Sequence, residues 1–384
     1  MRIERIDLYQ YRLPMVRPFV ISSGPMTQGH GLFVALHSEG LVGWGECPTT
    51  PSPMYCPETT GTAWHIASEY LIPSMLGADI EETQDLEPYL GRVRGHHFCK
   101  GMFDMAAWDL VSKRDGLSMA RKLAQPYPEG AKERVACGWA IGIQGIAETI
   151  AAIGAARERG FQRMKLKIRP GHELALARAA RLAFPDIPLM LDANSAYGLE
   201  DAPIFQAMDE LRLLMIEQPL DCDDIYDHSR LHPLIKTPLC LDESIHSVGD
   251  TRLALALKAC DIINIKPGRV GGWTEARRIH DLCRANGIPV WIGGMLESGL
   301  GIAAKVAIAS LPGVTLPGDL EVSYMHYTLE VTEPIAINPE DSTITVPTKP
   351  GIGVEIDPAG LAAAIARHES FVSTKQVAVP EISR

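Results

Sequence analysis

The 384-residue sequence predicts an α/β barrel preceded by an α+β domain. Three observations predict it: short apolar runs that each end in a charged residue, a nearly constant spacing between those ends, and helical patterns in between. The runs end at Lys167, Asp192, Glu217, Asp242 and Lys266, so successive ends are 25, 25, 25 and 24 residues apart. A buried strand, a helix and a return loop take about this length, and continuous apolar runs suit parallel strands covered on both faces.

Three further apolar runs complete the predicted barrel. Runs at 288–292 and 314–316 follow the series and one at 135–139 precedes it, which makes eight strands. Helical periodicity is clearest at 173–184 and 274–285. So regular a series favours a closed barrel over an open doubly wound sheet. A solenoid would have a similar period, but its repeats would resemble one another in sequence, and these do not.

The remaining segments divide the chain into three expected parts. Residues 1–130 contain strand-like alternation at 2–13, 32–37 and 41–46, followed by helical patterns, the clearest at 98–112, and are expected to form an α+β capping domain. Residues 131–325 are expected to form the barrel. The tail, 326–384, is rich in turn residues and too short for a domain of its own, so we expect it to pack back on the capping domain.

Composition excludes several classes of protein. The 46% hydrophobic and 22% charged residues are the ordinary balance of a globular chain. A net charge of -11 argues against a nucleic-acid partner, because no excess of cations is available to neutralise phosphates. No run predicts a membrane span or a signal peptide, so a cytoplasmic location is expected. The eight cysteines stand singly, without a Cys-x-x-Cys pair, and indicate neither zinc nor redox chemistry.

Three acidic residues end three consecutive predicted strands. The C-terminal ends of barrel strands converge on the active site, so Asp192, Glu217 and Asp242 are expected to lie together. Oxygen ligands of this kind suit hard divalent cations, Mg²⁺ or alternatively Mn²⁺. Any one of these acids alone would more simply cap a helix or pair with a lysine. Three in consecutive register favour a metal site.

Two lysines end strands on opposite sides of the predicted ring. Lys167 ends the second strand and Lys266 the sixth, so they should face each other across the barrel mouth. Nearby cations or burial lower the pKa of a lysine and let it act as a base. With one base on each face of an α-carbon, the predicted chemistry is racemisation. A single lysine acting with loss of a leaving group would give β-elimination.

Neighbouring residues are candidates for substrate binding. Lys165 lies two positions before Lys167 and points to the same side of its strand, where it could hold a substrate carboxylate or tune the base. Asn194, two residues after Asp192, is expected to support the centre. Gly293 and Gly294 let backbone approach a ligand closely, although a plain tight turn explains them nearly as well.

Five motifs together resemble the enolase superfamily, in its muconate-lactonizing-enzyme-like branch: Lys-x-Lys at 165–167, Asp-x-Asn at 192–194, Glu-Gln-Pro at 217–219, Asp-Glu-Ser at 242–244 and Lys-Pro-Gly at 266–268. Segments 264–272 and 293–299 resemble its o-succinylbenzoate synthase / N-succinylamino acid racemase group. The resemblance spans essentially the whole chain. It implies a (β/α)7β modified TIM barrel whose cap is completed by the tail, a Mg²⁺ cofactor, a small-molecule carboxylate substrate, menaquinone biosynthesis as one setting, and a homo-oligomer.

The resemblance also implies substrate contacts and leaves the reaction open. Phe19 and the loop around Tyr55 would close over the substrate and Met295 would lie beside it, although ordinary cap packing explains the two aromatic residues equally well. Dehydration to o-succinylbenzoate, racemisation of N-acylamino acids, and dipeptide epimerisation or muconate-type cycloisomerisation all remain candidates. A metal-binding, catalytically inactive relative is the alternative outside enzymes.

One segment departs from that group. After 299–301 the group typically carries Arg-Ala-x-Asn, whereas this chain has Ile302 and Lys305 at the first and last of those positions. The change leaves the acid–base residues intact and puts the substrate in question. The acids Asp319 and Glu321 lie where dipeptide epimerases carry paired acids, but the 266–269 segment favours the racemase/synthase group.

Overall fold

The computed structural model describes residues 1–21 and 24–373, so the last part of the predicted tail, 374–384, lies outside the described residues. The strands are β1 (Arg5–Ile21), β2 (Gly24–Ser38), β3 (Leu41–Cys47), β4 (Arg134–Ala136), β5 (Trp139–Ile141), β6 (Met164–Lys167), β7 (Leu189–Asp192), β8 (Ile216–Glu217), β9 (Leu239–Leu241), β10 (Ile262–Ile265), β11 (Val290–Ile292), β12 (Thr343–Thr345) and β13 (Ile365–Val372).

The α-helices alternate with the strands from β5 onward. They are α1 (Thr60–Ile66), α2 (Ile72–Met75), α3 (Glu87–Leu90), α4 (His97–Arg114), α5 (Met119–Ala124), α6 (Ile146–Glu158), α7 (Glu173–Ala183), α8 (Ala202–Gln206), α9 (Ile225–Leu231), α10 (Val248–Leu257), α11 (Pro267–Val270), α12 (Trp273–Ala285), α13 (Gly299–Ala309) and α14 (Pro358–Ala364). Within the described part of the chain, no helix is both long and apolar enough to cross a membrane.

The N-terminal region is an antiparallel sheet covered by one long helix. Its strand order is β13-β1-β2-β3, and β1 pairs with β2 from Arg5↔His37 to Ile21↔Gly24. Most of α4 is buried, because the helix lies between this sheet and the barrel helices α11 and α12. The Trp108 indole on α4 donates to the Thr274 hydroxyl across that boundary at 2.9 Å. The cap is therefore fixed directly over the barrel.

The tail returns to both parts of the molecule. β13 adds to the edge of the N-terminal sheet by antiparallel pairing with β1, from Arg5↔Val372 to Tyr11↔Ile365. Earlier in the tail, β12 pairs with β4 at the entrance to the barrel. The domain boundaries at 130 and 325 stay predictions, because pairing of strands does not define where a domain ends.

The barrel contains seven parallel strands in chain order, β5 to β11, which confirms the predicted fold class. Parallel pairing places Lys167 opposite Asp192, and Asp192 opposite Glu217. Asp242 and Lys266 each follow directly on the last residue of β9 and β10. The charged ends identified in the sequence therefore lie at one end of the barrel.

The structure corrects the first and last predicted strands. The run 135–139 is divided, because residues 134–136 form β4 and pair antiparallel with β12, and only Trp139–Ile141 enters the barrel. Gly138 lies between them, and a Cβ there would overlap the guanidinium of Arg163. Residues 314–316 do not form a continuous strand. This segment instead closes the barrel through isolated parallel bridges, Val290↔Val314 and Cys137↔Gly318.

An apolar cluster and one arginine lie in the barrel interior below the charged ends. Met190, Met215, Cys240 and Trp291 form a buried cluster there. The Arg163 guanidinium is completely buried and lies 4.8 Å from the centroid of the Trp291 ring, a cation–π geometry. This layer seals the barrel beneath the charged side chains and keeps water from reaching them from below.

Contact between β3 and α4 depends on glycine, which predicts the effect of Gly45→Ala. A Cβ at Gly45 would overlap the carbonyl oxygen of Met102, so the helix would have to move away from the sheet. We expect the free energy of unfolding to fall by about 1–3 kcal/mol in urea titrations followed by circular dichroism. The matched control is Gly61→Ala on α1, where the nearest atom to a Cβ is 3.7 Å away. A cost at Gly61 equal to that at Gly45 would contradict the packing account.

Candidate active site

A cavity of about 270 Å³ lies between the loops of the cap and the C-terminal ends of the barrel strands. The barrel contributes most of its charged residues and the cap most of its apolar ones. Its wall includes Phe19, Ile21, Met26, Pro48, Met54 and Tyr55 from the cap, and Lys165, Lys167, Lys266, Gly294, Met295, Glu297, Lys305, Asp319, Glu321 and His326 from the barrel side. A pocket of this form, with few convergent polar groups, is typical of a ligand site.

Three carboxylates, called the floor of the site below, lie behind the lysines of the cavity wall and do not themselves line the cavity. Asp192, Glu217 and Asp242 are fully buried. Burial and the charge of Asp192 raise the pKa of Glu217 to about 7. Burial also raises the pKa of Asp192, but the adjacent ammonium groups of Lys167 and Lys165 outweigh it and hold that pKa below its ordinary value. So many acids can be buried together only because cations surround them.

Lys167 is held on one side of this floor. Its Nζ lies 2.6 Å from Asp192 Oδ2 and donates to Asn194 Oδ1 at 2.9 Å. The Asn194 amide in turn donates to Glu243 Oε1 at 2.8 Å, which fixes the orientation of the amide. Asn194 is therefore placed as predicted beside Asp192, and it contacts Lys167 as well.

Lys266 is held on the other side. Its Nζ lies 2.7 Å from Asp242 Oδ2 and donates to the Tyr55 hydroxyl at 2.8 Å. Burial lowers the pKa of Lys266, but Tyr55, Glu243 and Glu217 raise it by more, so that the pKa lies above its ordinary value. β6 and β10 have three strands between them in the sheet, so the two lysines approach the cavity from opposite directions.

Lys165 lies deeper than either of them. Its ammonium contacts Asp319 and lies 3.3 Å from oxygens of both Asp192 and Glu217. Burial lowers its pKa, yet these three acids raise it well above the ordinary value. Arg163 binds the other oxygen of Asp319. Lys165 is therefore a fixed positive charge at the base of the cavity.

Two carboxylate oxygens of the floor are not satisfied by an aligned hydrogen bond. Glu217 Oε2 lies 3.3 Å from Lys165 Nζ and Asp242 Oδ2 lies 2.7 Å from Lys266 Nζ, but neither ion pair has hydrogen-bond geometry. The other oxygen of each acid is held in place, since the Asn264 amide donates to Glu217 Oε1 at 2.6 Å and Arg269 binds Asp242 Oδ1. Buried oxygens without an aligned donor are costly, and an all-oxygen set of this kind fits a hard divalent ion.

The same three acids do not form a compact cluster as they stand. Within the described residues, the acidic group whose ligand atoms all lie within 4.8 Å of one another is at 221–223, on the exterior. Lys266 and Arg269 draw Asp242 to their side of the floor. Ion binding at the floor would therefore require Asp242 to turn toward the other two acids.

The remaining predicted residues divide between cavity and support. Phe19, Tyr55, Gly294 and Met295 line the cavity. Gly293 does not line it, and a Cβ there would overlap the Asn264 amide that orients Glu217. Gly293 therefore leaves room for the amide that holds Glu217, and it does not serve to bring backbone close to a ligand.

Several residues of the site had not been assigned a role from the sequence. Arg269, Asn264 and Arg163 each hold one of the buried acids. A signal existed for Arg163, because it lies two and four residues before the paired lysines and so on the same face of the strand. Asn264 has the same relation to Lys266. No local pattern marks Arg269, whose partner Asp242 is 27 residues earlier in the chain.

The chain belongs to the enolase superfamily, in the mandelate racemase / muconate lactonizing enzyme family. Residues 148–360 match the family model described as enolase C-terminal domain-like, and residues 6–123 match the mandelate racemase / muconate lactonizing enzyme N-terminal domain. A solved structure of an enolase-superfamily member from Enterococcus faecalis V583 superposes with a TM-score of 0.89 at 36% identity, over 96% of this chain and all of that one.

Relatives with named activities include o-succinylbenzoate synthases, N-succinylamino acid racemases and, at 31% identity over 85% of this chain and 98% of that protein, the L-Ala-D/L-Glu epimerase of Escherichia coli. The chain is 40% identical to o-succinylbenzoate synthase of Bacillus subtilis, over 92% of this chain and 94% of that protein. It is 41% identical to N-succinylamino acid racemase of an Amycolatopsis species, over 92% of this chain and 95% of that protein. The first is a lyase and the second an isomerase.

Asp319 joins two buried cations, which predicts the effect of Asp319→Asn. Without that negative charge, Arg163 and Lys165 repel each other with no counter-ion between them, so the free energy of unfolding should fall by about 3–5 kcal/mol. Asp227→Asn is the matched control, because Asp227 pairs with Arg230 on the surface at 3.1 Å. We expect it to cost less than about 1 kcal/mol. If both substitutions lowered the free energy of unfolding equally in urea titrations, Asp319 would have no special part in balancing the buried charges.

Proposed function

We propose that this chain removes the proton α to a carboxylate of a small-molecule substrate, with Lys167 and Lys266 as the two bases. The observation that carries the proposal is that both ammonium groups line one cavity from opposite sides of a floor of buried acids. A substrate whose α-carbon lies between them can lose a proton to one lysine and receive one from the other. That exchange inverts the α-carbon.

Lys165 has a different part in this proposal. Its ammonium contacts three acids at the base of the cavity, deeper than the two opposed lysines, so it serves as a binding cation and not as a base. An ammonium at the base of the cavity attracts the substrate carboxylate and stabilises the additional negative charge of the enediolate that forms when the α-proton leaves. The Arg163–Asp319 pair keeps this cation in position.

Asp192, Glu217 and Asp242 are the residues that would hold a divalent metal. The oxygens of Glu217 and Asp242 that lack an aligned hydrogen-bond donor support this assignment, and Mg²⁺ is the metal that the family resemblance implies, with Mn²⁺ as the alternative. When bound, such an ion supplies electrostatic stabilisation of the enediolate oxygens. Its positive charge also favours the neutral, basic form of the two neighbouring lysines.

Two reactions begin with this proton removal. We propose dehydration to o-succinylbenzoate, racemisation of N-succinylamino acids, or both, because relatives with each of these two names are about 40% identical to this chain. Dehydration needs one lysine as base and a leaving group on the adjacent carbon. Racemisation needs both lysines. The opposed lysines of this chain are able to do either.

A dipeptide epimerase is the alternative that the acids of the cavity leave open. A free α-ammonium group would need an unpaired carboxylate to bind it. Asp319 is already bound by Arg163 and Lys165, but Glu321 lines the cavity and its Oε1 accepts a hydrogen bond from the neutral Ala140 backbone at 2.8 Å. The inactive-relative alternative is disfavoured, since a purely structural metal site has no use for two cavity-facing lysines.

Proton exchange tests the proposed function directly. The wild-type protein with Mg²⁺ in D₂O should exchange the α-proton of N-succinylamino acids, visible as loss of the α-proton signal in ¹H NMR. The panel should include dipeptides and the cyclohexadiene precursor of o-succinylbenzoate. Turnover of the precursor alone would identify a dedicated synthase. Exchange with none of these compounds would contradict the proposal.

Metal dependence gives a second prediction. Adding Mg²⁺ after treatment with EDTA should raise the melting temperature of the wild type, because a ligand that binds only the folded state stabilises it. Glu217→Gln should abolish this shift, since it removes the charge of one ligand. Lys266→Ala should lose proton exchange for one enantiomer of the substrate and retain the shift. A full shift in Glu217→Gln would place the metal elsewhere.

A further inference from the structure

Lys305 is a buried cation on the cavity wall for which the proposed proton transfer has no use. It lies on α13 with only 3% of its surface exposed, and its side chain lines the cavity. A lysine is rarely buried so far without a function or a partner. Since its ammonium reaches the cavity but belongs to neither the acidic floor nor the opposed bases, it is a candidate for contact with a remote part of the substrate.

The ammonium is positioned but not saturated. It donates to Glu297 Oε2 at 2.6 Å and to the Asp319 backbone oxygen at 3.0 Å. An ammonium has three N–H donors, so one is left without an acceptor among the described residues. A Cβ at Gly294 would lie 3.0 Å from Nζ. The glycine therefore keeps this side of the ammonium open toward the cavity.

The surroundings of Lys305 favour an anionic ligand. His326 on the same wall is held neutral, because burial and then the charges of Lys305 and Arg17 lower its pKa to about 4. Asp319 is already neutralised by the two cations beneath it. Among the described residues, Glu297 is the one acid whose carboxylate pairs with Lys305, and its Oε2 also accepts a hydrogen bond from the Met295 backbone at 2.9 Å. An incoming carboxylate would therefore contact an ammonium whose acidic partner, Glu297, is shared with the Met295 backbone.

We infer that Lys305 determines specificity by binding a second, distal carboxylate of the substrate. This inference rests on the proposed function for the placement of the α-carboxylate at the acidic floor. A dicarboxylate whose two acids are separated by several bonds would then span the cavity, with its α-carbon between the opposed lysines and its far end at Lys305. A four-carbon dicarboxylic acyl group attached near the α-carbon has this chemistry.

Lys305 could instead serve only to hold Glu297 and so the loop that carries Met295. In that case its removal would weaken every substrate alike. Only a lysine that binds the distal carboxylate would make substrate binding depend on the charge of that carboxylate. The test therefore compares an N-succinylamino acid with the N-succinamoyl derivative of the same amino acid, in which a neutral amide replaces the distal carboxylate at nearly the same size.

The variant is Lys305→Met combined with Glu297→Gln, which removes the ammonium without leaving an unpaired buried carboxylate. Binding to the Mg²⁺-loaded protein is measured by calorimetry, and turnover is followed separately by α-proton exchange. We expect the wild type to prefer the succinyl compound by about 10- to 100-fold, the range for a charge-assisted hydrogen bond. The double variant should lose at least tenfold of that preference, mainly through KM.

Lys122→Met is the matched control. Lys122 is also a mostly buried lysine, paired with Asp115 at 2.7 Å, but it does not line the cavity. Its removal changes the net charge by one and should leave the preference unchanged, whereas Lys305→Arg should retain most of it.

The outcomes separate this inference from the proposed function. An equal fall for both compounds in the double variant, or a wild type without preference, would overturn the role of Lys305 even if protons exchange. A charge preference that depends on Lys305 in calorimetry, with no proton exchange for any compound, would support the role of Lys305 and overturn the proposed function.

Discussion

The parallel register of the barrel is the constraint on which the site depends. Because β6, β7 and β8 pair with Lys167 opposite Asp192 and Asp192 opposite Glu217, the charged ends of these strands stand at one level. Asp242 and Lys266 continue this edge after β9 and β10. A shift by one residue in any strand would turn its charged end away from the cavity. The regular spacing along the sequence is thus the direct source of the geometry.

The parallel register brings several charged side chains together in the protein interior, which lowers the stability of the fold. Burying three carboxylates and three lysines has a large desolvation cost, and neighbouring groups offset it only where every charge finds a partner. Asp319 balances both Lys165 and Arg163, while Arg269 balances Asp242. Two of the acids each keep one oxygen whose neighbouring ammonium is not aligned as a hydrogen-bond donor. A site with such incompletely satisfied buried oxygens gives up stability, which is the expected relation between a reactive centre and the scaffold around it.

The sequence was sufficient for the barrel and its charged ends because both follow from local patterns with a fixed period. It did not predict the partition of the first barrel segment at Gly138, since that depends on Arg163 approaching from another strand. Arg269 and Asn264 could not be assigned for the same reason: each holds an acid more than twenty residues away. The sequence showed that Lys305 departs from the pattern of the related group. That its side chain points toward the cavity follows only from the packing of α13.

Stereospecific proton exchange tests the central claim, two bases on opposite faces of one α-carbon, most directly. Both enantiomers of an N-succinylamino acid are incubated in D₂O with the wild type, Lys167→Ala and Lys266→Ala, and loss of each α-proton is followed by ¹H NMR. The wild type should exchange both enantiomers. Each single variant should retain exchange of one enantiomer and lose the other, with opposite preferences in the two variants. Loss of the same enantiomer in both variants would contradict the claim that the lysines act from opposite faces.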